Sequence, residues 1–182
     1  MKKGMERMEY FELSQSGLVE NAMEIIGLDK EKYPYRMSRK DFEALDKLKV
    51  AYFSGREFEE ICEVLVFPTF LVSDRLKRLL ELHEKQCRFK GLQLFPTAQE
   101  SGQYPLYWVP CFPELDCLHP DTVILDNGFV DRLVLDSRKL GDRPVFRIPG
   151  LVEYKVVVSL PVAEGILRRR CYGVGLRRLE VV

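Results

Sequence analysis

Leu71-Val-Ser-Asp-Arg-Leu-Lys-Arg-Leu-Leu80, followed by Cys87-Arg-Phe-Lys-Gly-Leu92, has a counterpart near the end of the sequence. The counterpart reads Val157-Val-Ser-Leu-Pro-Val-Ala-Glu-Gly-Ile-Leu167, followed by Cys171-Tyr-Gly-Val-Gly-Leu176. Both run from an apolar strand through Val-Ser and a helical stretch to a cysteine, a glycine and a second apolar strand. The sequence therefore predicts two similar strand–helix–strand units, a pseudo-repeat over 67–96 and 153–181.

Local chemistry supports this division of each unit. Ser73 and Ser159 are suited to helix N-caps, and Pro161 falls in a first helical turn, where its missing N–H costs little. Each helical stretch carries one apolar stripe, formed by Leu76, Leu79 and Leu80 in the first and by Val162, Ile166 and Leu167 in the second. The alternative, a coincidental likeness between two ordinary strand–helix–strand units, stays open.

Short strands are expected between the two units. The candidates are Leu92–Phe95, Tyr104–Val109, Thr122–Leu125, Arg132–Leu135 and Val145–Ile148. Asp126-Asn-Gly128 is the best hairpin signal, because asparagine and glycine tolerate positive φ. Strands outnumber helices without regular alternation, which predicts an α+β fold with mixed or antiparallel sheets and a few short helices.

The first 55 residues lie outside the pseudo-repeat. In this segment a strand is expected over Glu9–Leu13, a helix over Leu18–Ile26 that ends at Gly27, and a short amphipathic helix or turn after Ser38. Directly after the segment, a short helix is expected over Arg56–Glu63. At 182 residues the chain has the length of one domain. We predict an α/β segment, 1–55, packed on a main body, 56–182, as one compact domain.

Composition favours binding over catalysis. The 28 basic and 28 acidic side chains cancel, which removes the bulk attraction that most nucleic-acid and anionic-membrane binders use. Only two histidines are present to serve as general bases or metal ligands. The ends differ, with a net charge of −3 over 1–29 and +3 over 164–182, so we expect one acidic and one basic face.

The densest group of potential metal ligands is Cys111-Phe-Pro-Glu-Leu-Asp-Cys117-Leu-His119. Cys111, Cys117 and His119 are weak candidates for a zinc site, which would need a distant fourth ligand. Cys117 and His119 fit equally well on one face of a strand, with His119 holding a turn before Pro120. We identify no catalytic residue, no phosphate loop or nucleophile elbow, and no cofactor motif, because Gly173-Val-Gly175 lacks the third glycine of a dinucleotide fingerprint.

Two groups of residues are candidates for partner binding. Tyr104, Tyr107 and Trp108 belong to an aromatic stretch, which is typical of interfaces and also of cores. Arg168, Arg169 and Arg170 can join the basic residues of the first unit in a surface for an anion or an acidic partner. The alternatives for the arginines are RNA binding and a solvated helix end.

The second half contains an ordered series of short motifs. It begins with Phe67-Pro-Thr-Phe-Leu-Val-Ser73 and Asp74-Arg-Leu-Lys-Arg-Leu-Leu80. The motifs that follow in chain order are Gly91-Leu-Gln-Leu-Phe-Pro96, Tyr104–Val109, Glu114-Leu-Asp-Cys-Leu118, Leu133-Val-Leu-Asp136, Pro144-Val-Phe-Arg-Ile148 and Val156-Val-Val-Ser159. In their order and spacing, over roughly residues 56–181, they resemble the bacterial immunity proteins encoded beside polymorphic toxins, specifically immunity family eleven, formerly a domain of unknown function.

The resemblance implies a non-enzymatic α+β protein that binds and neutralises a cognate protein toxin inside the producing cell. It brings no catalytic residues to this chain, and Cys117 and His119 stand where a more acidic or polar pattern is expected. No spanning or secretory stretch is found in the sequence, so we expect a cytoplasmic protein without membrane or cofactor partners. Nucleic acid is not favoured as a partner, a homodimer stays open, and the alternative functions are a small metal-dependent enzyme or an anion- or RNA-binding module.

Overall fold

The computed structural model describes residues 9–56, 58–98 and 102–182. Within these residues the helices are α1 (Arg39–Ala44), α2 (Asp74–His83), α3 (Ser137–Leu140) and α4 (Leu160–Arg168). The strands of the first half are β1 (Tyr10–Gln15), β2 (Ile25–Ile26), β3 (Leu48–Phe53), β4 (Val64–Leu65), β5 (Leu71–Ser73) and β6 (Arg88–Pro96). Those of the second half are β7 (Leu106–Cys111), β8 (Val123–Ile124), β9 (Val130–Arg132), β10 (Val134–Leu135), β11 (Val145–Arg147), β12 (Val156–Ser159), β13 (Val174–Arg178) and β14 (Glu180–Val181).

Two main sheets carry the fold. The larger has the order β2-β3-β6-β7-β5-β4, and the smaller has the order β11-β12-β1-β13. Only the β3–β6 pair of these sheets is parallel, and the remaining pairs are antiparallel. A short parallel pair, β10–β14, and the β8–β9 hairpin complete the sheets of the described residues. The predicted α+β class with mixed and antiparallel sheets is confirmed.

The two predicted strand–helix–strand units are present and share one topology. In the first, β5 and β6 flank β7, and both run antiparallel to it. In the second, β12 and β13 flank β1 in the same way. Each unit is therefore a β–α–β connection between parallel strands that are separated by a third, antiparallel strand from another part of the chain.

The helices of the two units pack against each other and form one core. Leu76, Leu79 and Leu80 of α2 lie in the same buried cluster as Val162 and Ile166 of α4. Leu167, expected in the α4 stripe, is exposed instead. The Ser73 hydroxyl accepts a hydrogen bond from the Leu76 amide (3.1 Å), as predicted, whereas the Ser159 side chain makes no capping bond.

Opposite charges from the two chain ends meet in the smaller sheet. Strand β1 lies between β12 and β13, and Glu12 is the register partner of Arg177. Arg177 Nη2 lies 2.6 Å from a Glu12 carboxylate oxygen, and Arg178 pairs with Glu9. The expected separation into an acidic and a basic face is therefore wrong for these four residues, because the strands that carry them are neighbours.

Two predicted helices are absent. In place of a helix over 18–26, the Met23 amide donates to the Glu60 carbonyl (3.0 Å) and the Glu60 amide donates to the Asn21 carbonyl (2.8 Å). These long-range hydrogen bonds occupy backbone N–H and C=O groups that would pair with each other within a local helix. Strand β2 follows this segment. The same bridge explains why the described residues between 56 and 63 are not helical.

Glycine is required at two of the turns. Gly128 has φ 83° in the β8–β9 connection, which confirms the predicted hairpin. Gly173 has φ 70° just before β13. A Cβ at Gly173 would stand 2.5 Å from Cβ of the buried Cys62, so both the backbone and the neighbouring side chain exclude larger residues.

The buried carboxylate of Asp136 makes part of the stability dependent on pH. It caps α3, and Arg138 donates to it from Nε (3.0 Å) and Nη2 (2.9 Å). These bonds lower the pKa of Asp136 from 3.8 to about 2. A lowered folded-state pKa contributes stability that is present above pH 3.8 and is lost as the pH falls through about 2.

We therefore expect the melting-temperature difference between the wild type and Asp136→Asn to be constant from neutral pH to about 4 and to shrink towards pH 2. Thermal unfolding followed by circular dichroism measures this. The melting-temperature difference between the wild type and Arg138→Gln should depend on pH in the same way, because this variant removes the guanidinium group that donates to Asp136. A difference that stays constant down to pH 2 would contradict the assignment.

Candidate functional site

One face of the larger sheet is apolar and exposed. Its residues, here called the sheet face, are Ile26, Leu48, Val50, Tyr52, Phe95 and Tyr104, and their exposed fractions run from 38% to 60%. On β3, Ala51 and Phe53 alternate with these residues, point to the other side of the sheet and are buried, whereas Lys49 on that other side is exposed. An uncovered apolar face of this kind is unusual on a protein that acts alone.

The strand register makes the sheet face contiguous. Tyr52 is the direct partner of Ile26 on one side and of Phe95 on the other. The Tyr104 ring packs edge-on against Phe95, with 5.6 Å between ring centroids. At the other end Leu48 lies over Gly91, where an added Cβ would stand 2.7 Å from Leu48 Cδ1.

Helix α2 covers only the neighbouring part of the same sheet surface. Asp74 accepts a hydrogen bond from Trp108 Nε1 (3.0 Å), and Lys77 Nζ lies 4.7 Å from the centroid of the Trp108 ring. A ten-residue helix is about 15 Å long. It covers β7 and the start of β6 and leaves β2, β3 and the end of β6 open.

A second feature is a cavity of about 550 Å³ beside α1, here called the cationic cavity. Five basic side chains line it, namely Arg39 of α1, Lys85 after α2, Arg88 of β6, Arg143 before β11 and Arg147 of β11. Its apolar lining consists of Met37, Phe42, Pro110, Phe112, Pro113 and Tyr154, with the thiol of Cys111 beside Arg88. Burial is the main cause that raises the pKa of Tyr154 to about 12, so its phenol is neutral.

The predicted aromatic residues lie in three different environments. Tyr104 is exposed on the sheet face. Tyr107 is buried, its hydroxyl donates to the Cys62 carbonyl (2.5 Å), and burial raises its pKa above the usual 10. Trp108 is partly buried beneath α2. Of the two roles weighed for this aromatic stretch, Tyr107 therefore has the core role and is not available for partner binding.

The predicted arginines lie at the exposed end of α4. Arg168 pairs with Glu164 (2.9 Å), and the Arg169 guanidinium donates to the Gly165 carbonyl (3.1 Å). Arg75 of α2 donates to the Arg169 carbonyl. The basic residues of the two units therefore do meet, around an open cavity of about 390 Å³ that Arg75, Arg78 and Arg169 line together with Asp74 and Leu79.

The three weak metal candidates are not brought together. Cys111 packs beside the cationic cavity, whereas Cys117 lies in another buried cluster with Tyr10 and Leu135. Burial raises the pKa of the Cys117 thiol to about 12. His119 Nδ1 accepts a hydrogen bond from the Asp121 amide (3.2 Å), which is the turn geometry weighed as the alternative. In the described ranges no three His, Cys, Asp or Glu side chains are placed to hold a metal ion.

Comparison of the sequence with models of known families and with curated proteins finds no match. The helices of the described residues include none with the length and apolar character needed to cross a membrane.

Sequence reasoning missed both the sheet face and the cationic cavity. The alternation Leu48-Lys-Val-Ala-Tyr52 was the available signal for β3. Its apolar positions cannot be distinguished in sequence from those of a covered strand. The cationic cavity combines residues from five separate parts of the chain and has no local signal.

Proposed function

We propose that this chain is a non-enzymatic binding protein of the toxin-immunity type. It neutralises a cognate protein toxin in the cytoplasm by covering the surface through which the toxin acts. The observation that carries the proposal is the sheet face, an apolar surface on strands whose opposite side is part of the core. The α+β fold is the class that the resemblance to immunity proteins implies.

The chemistry of the sheet face suits a protein partner. Tyr52, Phe95 and Tyr104 present large rings at low cost in side-chain entropy. Leu48, Val50 and Ile26 surround them with aliphatic area. Removing such a surface from water favours association, and a few central aromatic anchors usually dominate the affinity.

The geometry also suits inhibition by steric occlusion. The sheet face is supported by paired strands, β3 and β6, that are backed by the buried side chains Ala51, Phe53, Leu92 and Leu94. A surface supported in this way loses little conformational freedom on binding, which lowers the entropic cost of the complex.

The test is co-expression of the full chain with the product of the neighbouring gene, followed by affinity capture and size-exclusion chromatography. We expect a stable 1:1 complex and protection of the host cell from the toxicity of that product. Absence of a complex together with absence of protection would overturn the proposal. A wild-type homodimer that buries the sheet face would also overturn it, because that surface would then be occupied by a second copy.

A further inference from the structure

The cationic cavity lies on the side of the larger sheet opposite the sheet face. Arg88 and Cys111 are register partners at the start of β6 and the end of β7. Arg88 shares its side of β6 with Leu92 and Leu94, whereas Phe95 points the other way. A ligand in this cavity would therefore not compete directly for the sheet face, and the inference does not depend on the proposed function.

The charges of the cavity are only partly compensated. Arg88 pairs with Glu43, Arg147 with Glu114 (2.8 Å), and Arg143 lies 3.8 Å from Glu84. Arg39 and Lys85 form no ion pair with any described carboxylate. Two of the five cations therefore have no carboxylate within ion-pair distance among the described residues, and the two charges of a dianion would match them.

The most enclosed cation is already oriented by its neighbours. Arg147 donates from Nη1 to the Met37 carbonyl (2.6 Å), and its guanidinium lies 4.9 Å from the centroid of the Tyr154 ring. These contacts fix the position of the guanidinium in the wall before any ligand arrives. Preorganised guanidinium groups are suited to phosphate oxygens, since they donate in a fixed planar fork.

The rest of the lining combines the polar side chains Ser38, Gln86 and Glu114, the last paired with Arg147, with apolar and aromatic residues. Phe42, Phe112, Pro110 and Pro113 contribute to the same walls as the cations. A volume of about 550 Å³ is in the range of small-molecule sites, which combine an apolar lining with a few convergent polar groups. We propose that the cationic cavity binds a small aromatic phosphate monoester, with its phosphate on the arginine and lysine side chains and its ring on the apolar wall.

Isothermal titration of the full chain with phenyl phosphate tests the proposal. We expect one saturable site with a Kd below about 1 mM that weakens with added salt. Inorganic phosphate lacks the ring, and benzoate is an aromatic monoanion, so each should bind at least about tenfold more weakly. Equal binding of either comparator, or no saturation by phenyl phosphate up to about 10 mM, would overturn the proposal.

Variants locate the site. Arg39→Gln combined with Lys85→Gln removes the two unpaired cations, and both side chains are exposed, so the fold should be unchanged. The double variant should weaken phenyl phosphate binding by about tenfold or more. Lys30→Gln combined with Arg56→Gln is the matched control, because it also removes two exposed cations but neither lines the cavity, and it should leave the affinity unchanged. Equal affinities of the double variant and the wild type would show that binding occurs elsewhere.

Discussion

Replacing Lys155 with alanine is expected to lower the free energy of unfolding by about 3 kcal/mol or more. The Lys155 ammonium lies 2.8 Å from a Glu12 oxygen and 2.7 Å from a Glu153 oxygen, and the lysine side chain is 9% exposed. Removing the cation leaves the largely buried Glu153 carboxylate without its lysine and leaves Glu12 with only the exposed Arg177 as an ion-pair partner. Urea denaturation followed by fluorescence measures the loss.

The pH dependence of this cost follows from the pKa shifts. Burial acts to lower the pKa of Lys155, but its bonds to Glu12 and Glu153 raise it above 10.5. Burial likewise acts to raise the pKa of Glu153, whereas the bond from Lys155 lowers it below 4.5. The contribution of Lys155 to the free energy of unfolding is present below pH 10.5 and is lost at higher pH. The contribution of Glu153 is present above pH 4.5 and is lost at lower pH. The difference between the wild type and Lys155→Ala should thus be largest between these values.

Arg177→Ala is the matched control, because Arg177 binds the same Glu12 carboxylate but its side chain is 59% exposed. It should cost no more than about 1 kcal/mol. The triple variant Glu12→Gln, Glu153→Gln, Lys155→Met should recover much of the stability lost in Lys155→Ala, because it removes both buried carboxylates together with the buried ammonium group. An equal cost for Lys155→Ala and Arg177→Ala would show that burial of the network does not matter.

The parts of the fold that sequence predicted are those set by local signals. Ser73 caps α2, the leucine stripe of that helix is buried, and Asn127-Gly128 lies in the β8–β9 hairpin connection. The incorrect prediction over 18–26 depended on a distant partner. Met23 bonds to Glu60, a residue of another segment, and no pattern around Met23 indicates this.

The candidate site was harder to predict because exposure depends on tertiary coverage. The sequence predicted one short helix or turn after Ser38, but the apolar Leu48 beyond it begins β3, whose parallel partner is β6. Whether Val50 and Tyr52 are covered is decided by the length and position of α2. Tyr107 and Trp108 are neighbours in sequence, yet β alternation sends one into the core and the other beneath α2.

Val50→Glu and Tyr52→Glu are each expected to weaken the proposed complex with the neighbouring gene product by about 100-fold or more. Both side chains are exposed, so the free energy of unfolding should change by no more than about 0.5 kcal/mol. In the complex, each new carboxylate would be buried against apolar surface without a partner, which is strongly unfavourable. Surface plasmon resonance against the captured neighbouring gene product measures the affinity.

Leu82→Glu is the matched control, since Leu82 is a 63% exposed leucine on α2, outside the sheet face. It places the same carboxylate on the same kind of apolar side chain and should leave the affinity unchanged. If Leu82→Glu weakens binding as much as Val50→Glu, the loss comes from added negative charge and the sheet face is not the interface. The other outcome is that only the two sheet-face variants weaken binding and all three proteins unfold at the wild-type urea midpoint. In that case β3 lies at the centre of the contact, because a carboxylate lowers the affinity by so large a factor only where the partner excludes water.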